Sequence, residues 1–152
     1  MPTRTPHTGV AGEVLTAANL AKYPKGWLGY ASVTSNQSGI GSTPTDLTGL
    51  TVTVTVPANR LVRVSGYAQV FTASGVYAAV TMLEDGSQVG RVGRTLPGVG
   101  ESTTVSAFTL VLPTAGSHTY KLQGESSSST FTLEASATLP AWILVEDIGP
   151  SS

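Results

Sequence analysis

The segment LTVTVTV, residues 50–56, decides the fold of this chain. An apolar residue alternates strictly with threonine, so Leu50, Val52, Val54 and Val56 lie on one face of an extended strand. β-Branched side chains at most of these positions favour a strand over a helix. The segment therefore predicts a half-buried β-strand with one apolar face and one face of hydroxyl groups.

The same two-residue period recurs through most of the chain. Further strands are predicted at residues 27–34, 62–70, 76–82, 87–94, 104–112, 118–123, 130–137 and 141–148. The strand at 62–70 is expected to bend at Gly66, Asp85-Gly86 indicates a tight hairpin, and 87–94 is expected at a sheet edge. About nine strands without an interior helix predict an all-β fold, an antiparallel two-sheet β-sandwich of jelly-roll type.

The N-terminal part of the chain follows a different pattern. Three prolines interrupt residues 1–26, and one short helix is predicted to begin at Thr16 and to end before Pro24. We therefore predict two regions, an extended N-terminal arm over residues 1–26 that serves anchoring and assembly, and a β-sandwich domain over residues 27–152.

The composition excludes several classes of partner. The formal charge is -1, charged residues make up 11% of the chain, and there is no cysteine. These values exclude DNA binding driven by overall charge, disulfides and cysteine-ligated metal, so nucleic acid is not an expected partner. No apolar run approaches the ~20 residues of a membrane span, and no secretory signal begins the chain, so we expect cytoplasmic synthesis and no membrane partner.

Residues that could carry catalysis are few. His7 is interpreted as an arm histidine and His118, which follows a turn, as a surface histidine. The sequence contains no nucleophile elbow, zinc-protease motif or phosphate-binding loop. We therefore expect a protein that is not an enzyme and has no catalytic residue, no cofactor and no metal site.

Two pairs of neighbouring acids, Glu84-Asp85 and Glu146-Asp147, lie at strand ends. Adjacent side chains of a strand point to opposite faces, so neither pair is expected to share a proton or a metal ion. A calcium site built from loop carboxylates stays open as an alternative, although no Asp-x-Asp spacing supports it.

Four arginines could cluster if their strands pair: Arg60, Arg63, Arg91 and Arg94. Arg60 and Arg63 differ in parity, so at most one of them lies on a given face of a sheet. The cluster is interpreted either as a solvated rim or as a set of salt bridges to a neighbouring subunit.

Three of the predicted strands carry large apolar side chains on both faces, which is unusual for an antiparallel sheet with one wet face. The first and last strands are neighbours in a jelly roll, so these side chains predict one apolar patch that a homo-oligomer would bury, with a trimer favoured. The predicted interface consists of Trp27, Leu28, Tyr30, Phe108, Leu110, Trp142 and Leu144.

Two tyrosines support a different use of the surface. Tyr67 and Tyr77 fall on the outward parity of two strands expected to be neighbours, where a pair of rings could stack a glycan. Ordinary cross-strand packing is the alternative interpretation of the same pair.

Several motifs resemble those of one protein family. They are GEVLTAANL at residues 12–20, GWLGYASVT at 26–34, TDLTGLTVTVTVPANRLVRVSGY at 45–67, PTAGSHTYKL at 113–122 and AWILVEDIGP at 141–150. Together they resemble small structural proteins of tailed-bacteriophage virions, especially of phages that infect actinobacteria. The resemblance covers nearly the whole chain.

This resemblance implies a trimeric jelly roll similar to the tumour-necrosis-factor and complement globular-head domains, with no catalytic residues. Such proteins act as capsid decoration proteins, head fibres or minor tail proteins. The leading hypothesis is a capsid decoration or minor capsid protein that binds the assembled shell as an oligomer and stabilises it. Its partners would be itself and the major capsid protein or another virion protein, on the capsid surface rather than the tail.

In this hypothesis the arm anchors the protein to the shell through Val14, Leu15, Leu20 and Tyr23. The alternative is a tail or fibre-associated module that binds a glycan of the host surface.

Overall fold

The computed structural model describes residues 23–151, and the regular structure of this part consists of ten β-strands without a helix. The strands are β1 (Gly26–Val33), β2 (Gln37–Ile40), β3 (Thr45–Val56), β4 (Arg60–Thr72), β5 (Ala78–Glu84), β6 (Ser87–Thr95), β7 (Glu101–Val111), β8 (Gly116–Ser126), β9 (Phe131–Glu134) and β10 (Ala141–Pro150). The all-β prediction is confirmed. Within the described residues, no helix has the length and hydropathy needed to cross a membrane.

The strands form two antiparallel sheets that pack as a sandwich. The first sheet has the order β1-β10-β4-β9-β2, with β7 also paired to β4, and the second has the order β3-β8-β5-β6. One edge of β4 pairs with two strands in succession, with β10 over residues Arg60–Tyr67 and with β9 over residues Gln69–Phe71. The first and last strands are neighbours, as predicted, and the pairs β1-β10, β4-β7, β3-β8 and β5-β6 are those of a jelly roll.

Several boundaries differ from the sequence-based expectation. The strand β2 was not predicted, β8 continues to Ser126 through part of a predicted loop, and β9 ends at Glu134. The hairpin at Asp85-Gly86 is confirmed, with φ angles of 48° and 84° that suit a primed turn. The predicted helix and nearly all of the predicted arm lie outside the described residues, so the division into two regions stays a prediction.

The core fills the space between the two sheets. In β3, Leu50, Val52, Val54 and Val56 are buried and the intervening threonines are exposed, as the alternation predicted. The β4 strand pairs with β7 from Val62 to Thr72 without a register shift, so the expected bend at Gly66 does not interrupt the pairing. Glycine is needed there because a Cβ atom would lie 2.8 Å from Cγ2 of Val92.

A β-bulge in β1 determines which of its side chains face outward. The register against β10 shifts between Trp27 and Gly29, so two residues of β1 oppose one residue of β10. Leu28 packs against the core, and a Cβ at Gly29 would overlap the side chain of Val52, so both residues face inward. Trp27 and Tyr30 consequently lie on the same outer face, although they are three residues apart.

Candidate functional surface

The outer face of the first sheet carries a contiguous set of large side chains. Three cross-strand rows run from β1 through β10 and β4 to β7: Trp27, Glu146, Arg63 and Leu110; Tyr30, Leu144, Ser65 and Phe108; and Ser32, Trp142, Tyr67 and Ser106. We call the surface formed by these twelve residues the aromatic face.

Two pairs of aromatic side chains stack on this face, one along β1 and one between the neighbouring strands β10 and β4. The rings of Trp27 and Tyr30 stack with centroids 5.9 Å apart, and those of Tyr67 and Trp142 stack at 5.9 Å with only 8° between their planes. Trp27 is 70% exposed and Phe108 is 62% exposed. Exposed aromatic side chains grouped on one face are typical of interaction sites.

The charged groups within the aromatic face are paired. Nη2 of Arg63 lies 2.6 Å from Oε2 of Glu146, and the guanidinium also lies 6.0 Å from the ring centroid of Phe108. The Arg63–Glu146 pair therefore adds no net charge to the surface. An isolated charge is costly to bury. Because Arg63 and Glu146 compensate each other, a partner could cover this face without burying an isolated charge from this pair.

The centre of the aromatic face is concave. A groove of about 640 Å³ lies where the outward residues of β4 and β7 are small, at Ser65 and Ser106. Tyr67, Trp142 and Phe108 line its sides. The face therefore offers both protruding rings and a recess that can receive a side chain.

The outer face of the second sheet is polar by contrast. The hydroxyl groups of Thr53 and Thr119 lie 2.9 Å apart, and Nζ of Lys121 donates to Asp46 at 2.7 Å. The hydrogen bond from Lys121 lowers the pKa of Asp46. Hydroxyls and exposed ion pairs suit contact with water, so the outer faces of the two sheets differ clearly in polarity.

The structure brings together six of the seven residues predicted for the oligomer interface. These are Trp27, Tyr30, Phe108, Leu110, Trp142 and Leu144. The assignment of Leu28 is wrong, because the bulge turns this side chain towards the core. A glycine directly after an apolar residue inside a strand is the signal that could have indicated the bulge.

The proposed tyrosine pair does not form a platform. Tyr67 lies on β4 in the first sheet, whereas Tyr77 directly precedes β5 in the second sheet, so consecutive strands are not neighbours here. Tyr67 instead stacks on Trp142 and belongs to the aromatic face, a role that the sequence analysis missed.

The opposite parity of Arg60 and Arg63 is confirmed. Arg63 lies on the aromatic face, whereas Arg60 is buried and binds Asp147 with two hydrogen bonds of 2.8 and 2.7 Å. Nη2 of Arg60 also donates to the carbonyl oxygen of Tyr23 at 2.6 Å. This buried pair therefore contacts the chain where the described residues begin.

A cluster around His118 lies at one end of the second sheet. Nδ1 is 2.8 Å from Oδ2 of Asp85 and 3.2 Å from Oε1 of Glu84, while Nε2 is 2.9 Å from the carbonyl oxygen of Thr114. The assignment of a surface histidine is wrong, since His118 is buried. The two acids were expected to point apart, but the φ of 48° at Asp85 ends the strand alternation and lets both reach one ring.

Both ring nitrogens of His118 face oxygen acceptors, which favours the doubly protonated imidazolium. Burial alone would lower the pKa of His118, but the hydrogen bonds to Thr114 and Asp85 outweigh it and raise this pKa above the ordinary value. The donor atoms of Glu84, Asp85 and His118 lie within 4.8 Å of one another, which is close enough to hold a metal ion. The hydrogen bonds of the charged ring account for the same geometry.

The remaining predicted site residues, namely His7, Val14, Leu15 and Leu20, lie outside the described part of the chain.

No protein-family model matches the chain, and no curated protein matches it in sequence. Solved structures are similar in fold. They include the insecticidal delta-endotoxin Cry8Ea1 from Bacillus thuringiensis (15% identity, 78% of this chain, 19% of that chain, TM-score 0.42). The Eiger TNF from S. frugiperda is 8% identical over 83% of this chain and 96% of that chain, with a TM-score of 0.49. Infectious bursal virus derived T=1 particles contain a chain that is 13% identical over 95% of this chain and 41% of that chain, with a TM-score of 0.46.

The chain spans about a fifth of the length of the delta-endotoxin chain. Likeness at these identities and TM-scores carries no conclusion about activity or partners, because one fold serves many unrelated functions.

Proposed function

We propose that this chain is a non-enzymatic structural protein of a phage virion that associates with copies of itself through the aromatic face. The observation that carries the proposal is the group of aromatic side chains on the outer face of one sheet, of which Trp27, Tyr30 and Phe108 are exposed. Aromatic residues are enriched in the cores of protein interfaces, and charged residues are depleted there. Arg63 and Glu146, the charged residues of this face, pair with each other, so covering the face leaves neither charge of this pair isolated.

The motifs behind the sequence resemblance support the same surface. The GW motif lies in β1 and the ILVEDIG motif lies in β10, and these strands are neighbours in the first sheet. They supply Trp27, Tyr30, Trp142 and Leu144 to the aromatic face. Two motifs of the resemblance, at residues 26–34 and 141–150, therefore lie in strands of this face.

We propose a homotrimer in which three copies turn their aromatic faces towards one axis. Closed rotational symmetry lets every copy bury the same surface and leaves no open edge for further growth. The polar outer faces of the second sheets would then point away from the axis, where hydroxyl groups meet water.

Light scattering at low micromolar concentration tests the oligomer. We expect a particle of three times the 15.5 kDa chain mass for the unmodified protein and a folded monomer for Phe108→Asp. Thr53→Asp is the matched control, because it places the same charge on the exposed outer face of the second sheet and should leave the trimer intact. A wild-type monomer, a dimer, or a trimer that survives Phe108→Asp would contradict the proposal.

The second part of the proposal is that the trimer decorates a capsid, with the arm of residues 1–26 lying along the shell. Binding to the assembled lattice alone would stabilise that lattice by mass action. The hydrogen bond from Arg60 to the carbonyl of Tyr23 supports a defined point of departure for the arm at one end of the sandwich. Removal of residues 1–22 keeps this contact, so the truncated trimer should still fold and should no longer bind shells.

Copy number in purified virions tests the location. Quantitative mass spectrometry should give hundreds of copies per virion for a capsid decoration protein, whereas a handful would place the chain in the tail and contradict the capsid assignment. Full occupancy of shells by the truncated protein would separately contradict the role of the arm.

A second candidate function is recognition of a host-surface glycan by the aromatic face. The nearly parallel rings of Tyr67 and Trp142 beside the groove favour it, since aromatic rings are suitable for stacking a sugar. A glycan array distinguishes the two functions. Binding that Tyr67→Ala abolishes would support the glycan function, whereas a trimer that buries this face and binds no glycan would exclude it.

A further inference from the structure

A second β-bulge, in β6, places two arginines side by side on the outer face of the second sheet. The register against β5 pairs Ala79 with Arg94 and Thr81 with Arg91, and it shifts between these pairs. Val92 is buried, and a Cβ at Gly93 would lie 2.6 Å from Val105, so both residues between the arginines face inward. Arg91 and Arg94 consequently point to the same side, although a regular strand would separate them.

These arginines form one wall of a shallow cavity of about 230 Å³. Ala79 of β5 is its floor, because the small side chain leaves a depression between β6 and β8. Glu125 pairs with Ala79 from the other side, and together with Ser126 and Ser127 it forms the opposite wall. We call this cavity the arginine trough.

The ring of Tyr77 holds one of the two guanidinium groups. Cζ of Arg94 lies 4.4 Å from the centroid of the Tyr77 ring, which is the geometry of a cation–π contact. Stacking uses the flat face of the guanidinium and leaves its edge N–H groups free to donate. The arginine side chain is therefore oriented before a ligand arrives, which lowers the entropic cost of binding.

The two guanidinium groups of the trough differ from those of Arg60 and Arg63. Arg60, Arg63 and Lys121 each bind a carboxylate within 2.7 Å. Within residues 23–151, no carboxylate lies within 4.0 Å of the guanidinium nitrogens of Arg91 or Arg94. Two adjacent cations without an acidic partner in this part of the chain form a site for an anionic group.

The opposite wall has the complementary chemistry. The carboxylate of Glu125 is a hydrogen-bond acceptor, and the hydroxyl of Ser127 accepts a hydrogen bond from the Tyr77 amide at 3.2 Å, which leaves its own proton to donate. A ligand that fits both walls has an anionic end for the arginines and hydroxyl groups for Glu125 and Ser127. A compact dianion fits less well, because Glu125 repels additional negative charge.

We propose that the arginine trough binds a sugar that bears a carboxylate. The planar carboxylate matches the fork of guanidinium N–H groups, and the ring hydroxyls reach Glu125 and Ser127. The volume is below the ~300 Å³ at which ordinary ligand pockets begin, so a single terminal monosaccharide fits rather than a chain of sugars. The trough lies on the second sheet, so this site is independent of the aromatic face and of self-association.

The test is a titration of the isotope-labelled full chain followed by NMR, with D-glucuronate as the probe. We expect shifts confined to β6, the end of β8 and Tyr77, with a dissociation constant of about 1 mM, as is typical of so small a ligand. Arg91→Gln and Arg94→Gln should each weaken binding about tenfold, since each removes a charge-assisted hydrogen bond. Lys121→Gln is the matched control, a cation on the same sheet face that is already paired, and should leave the affinity unchanged.

Three other probes determine whether the chemistry is right. D-Glucose lacks only the carboxylate and should bind at least tenfold more weakly than D-glucuronate. Equal binding of D-glucose and D-glucuronate would overturn the proposal. So would inorganic phosphate that binds more tightly than D-glucuronate. A protein that binds the carboxylate of glycine but does not bind D-glucuronate would overturn it as well. An absence of shifts with D-glucuronate at 20-fold the expected dissociation constant, about 20 mM, would overturn it as well.

Discussion

The buried ion pair between Arg60 and Asp147 should contribute far more to stability than the more exposed pair between Arg63 and Glu146. The perturbation is Asp147→Asn, which keeps the size of the side chain and removes its charge. The Arg60 and Asp147 side chains are 5% and 0% exposed, and two hydrogen bonds of 2.8 and 2.7 Å join them. Oδ1 of Asp147 also accepts a hydrogen bond from the Gly149 amide at 2.8 Å, which an asparagine oxygen can retain.

The expected magnitude follows from burial. Asp147→Asn removes the negative charge that faces the buried guanidinium of Arg60, and breaking a buried ion pair from one side costs about 3–5 kcal/mol of unfolding free energy. For a domain of this size, 1 kcal/mol corresponds to about 2–4 °C in Tm, so the variant should melt about 10 °C lower. The loss is a large part of the ~5–15 kcal/mol that stabilises an ordinary domain.

The neighbouring residue provides the matched control. Glu146→Gln breaks the ion pair with Arg63, whose side chain is 42% exposed, so water can solvate the remaining charge. The cost of this change should stay below about 1 kcal/mol. Urea unfolding measures both variants, at two protein concentrations because self-association would itself raise the apparent stability.

The comparison of the two variants decides the outcome. A midpoint shift with an unchanged m-value is expected for both, and it should be several times larger for Asp147→Asn. Equal losses for the two variants, or a loss below about 1 kcal/mol for Asp147→Asn, would show that burial does not determine the value of these pairs.

Two further predictions concern other parts of the sandwich. His118 has a folded-state pKa raised above its ordinary value of 6.5, so the stability that His118 adds relative to His118→Gln should be complete below about pH 6.5. This stability contribution should disappear as pH rises through the raised pKa of His118. Equilibrium unfolding of the unmodified protein and of His118→Gln between pH 5 and about 9 measures the difference in unfolding free energy. A difference that grows with pH would contradict the imidazolium assignment. Gly93→Ala places a Cβ 2.6 Å from Val105 and should cost about 1–3 kcal/mol, whereas Gly41→Ala, where nothing lies within 4 Å, should be nearly neutral. Thermal melting of the two variants measures both losses; equal effects at the two glycines would refute the steric explanation.

The fold of this chain could be predicted from local patterns. Alternation of valine and threonine in β3 identifies a half-buried strand, because side chains of a strand alternate between two faces with a fixed period of two. The Asp85-Gly86 turn is equally local, since a primed turn requires two adjacent residues that tolerate positive φ. Most of the aromatic face could be predicted for the same reason, from strands that are apolar on both sides.

The sites that depend on irregular positions could not be predicted in this way. Leu28 was assigned to the interface because both faces of its strand are apolar, and only the bulge in β1 shows that it faces inward. Arg91 and Arg94 were grouped with Arg60 and Arg63, and only the bulge in β6 places these two on one face. His118 was assigned to the surface because the positive φ of Asp85 brings two carboxylates to its ring only in the folded hairpin.

The sequence by itself determined the strand periodicity, the turns and the apolar character of the outer strands. Only the tertiary structure decided which of those side chains share a face. The physical reason lies in contacts between residues that are far apart in the chain: a Cβ at Gly29 would overlap Val52, and one at Gly93 would lie 2.6 Å from Val105. These close approaches across the sandwich require glycine at two inward positions, and the bulges beside them turn Trp27 towards Tyr30 and Arg91 towards Arg94.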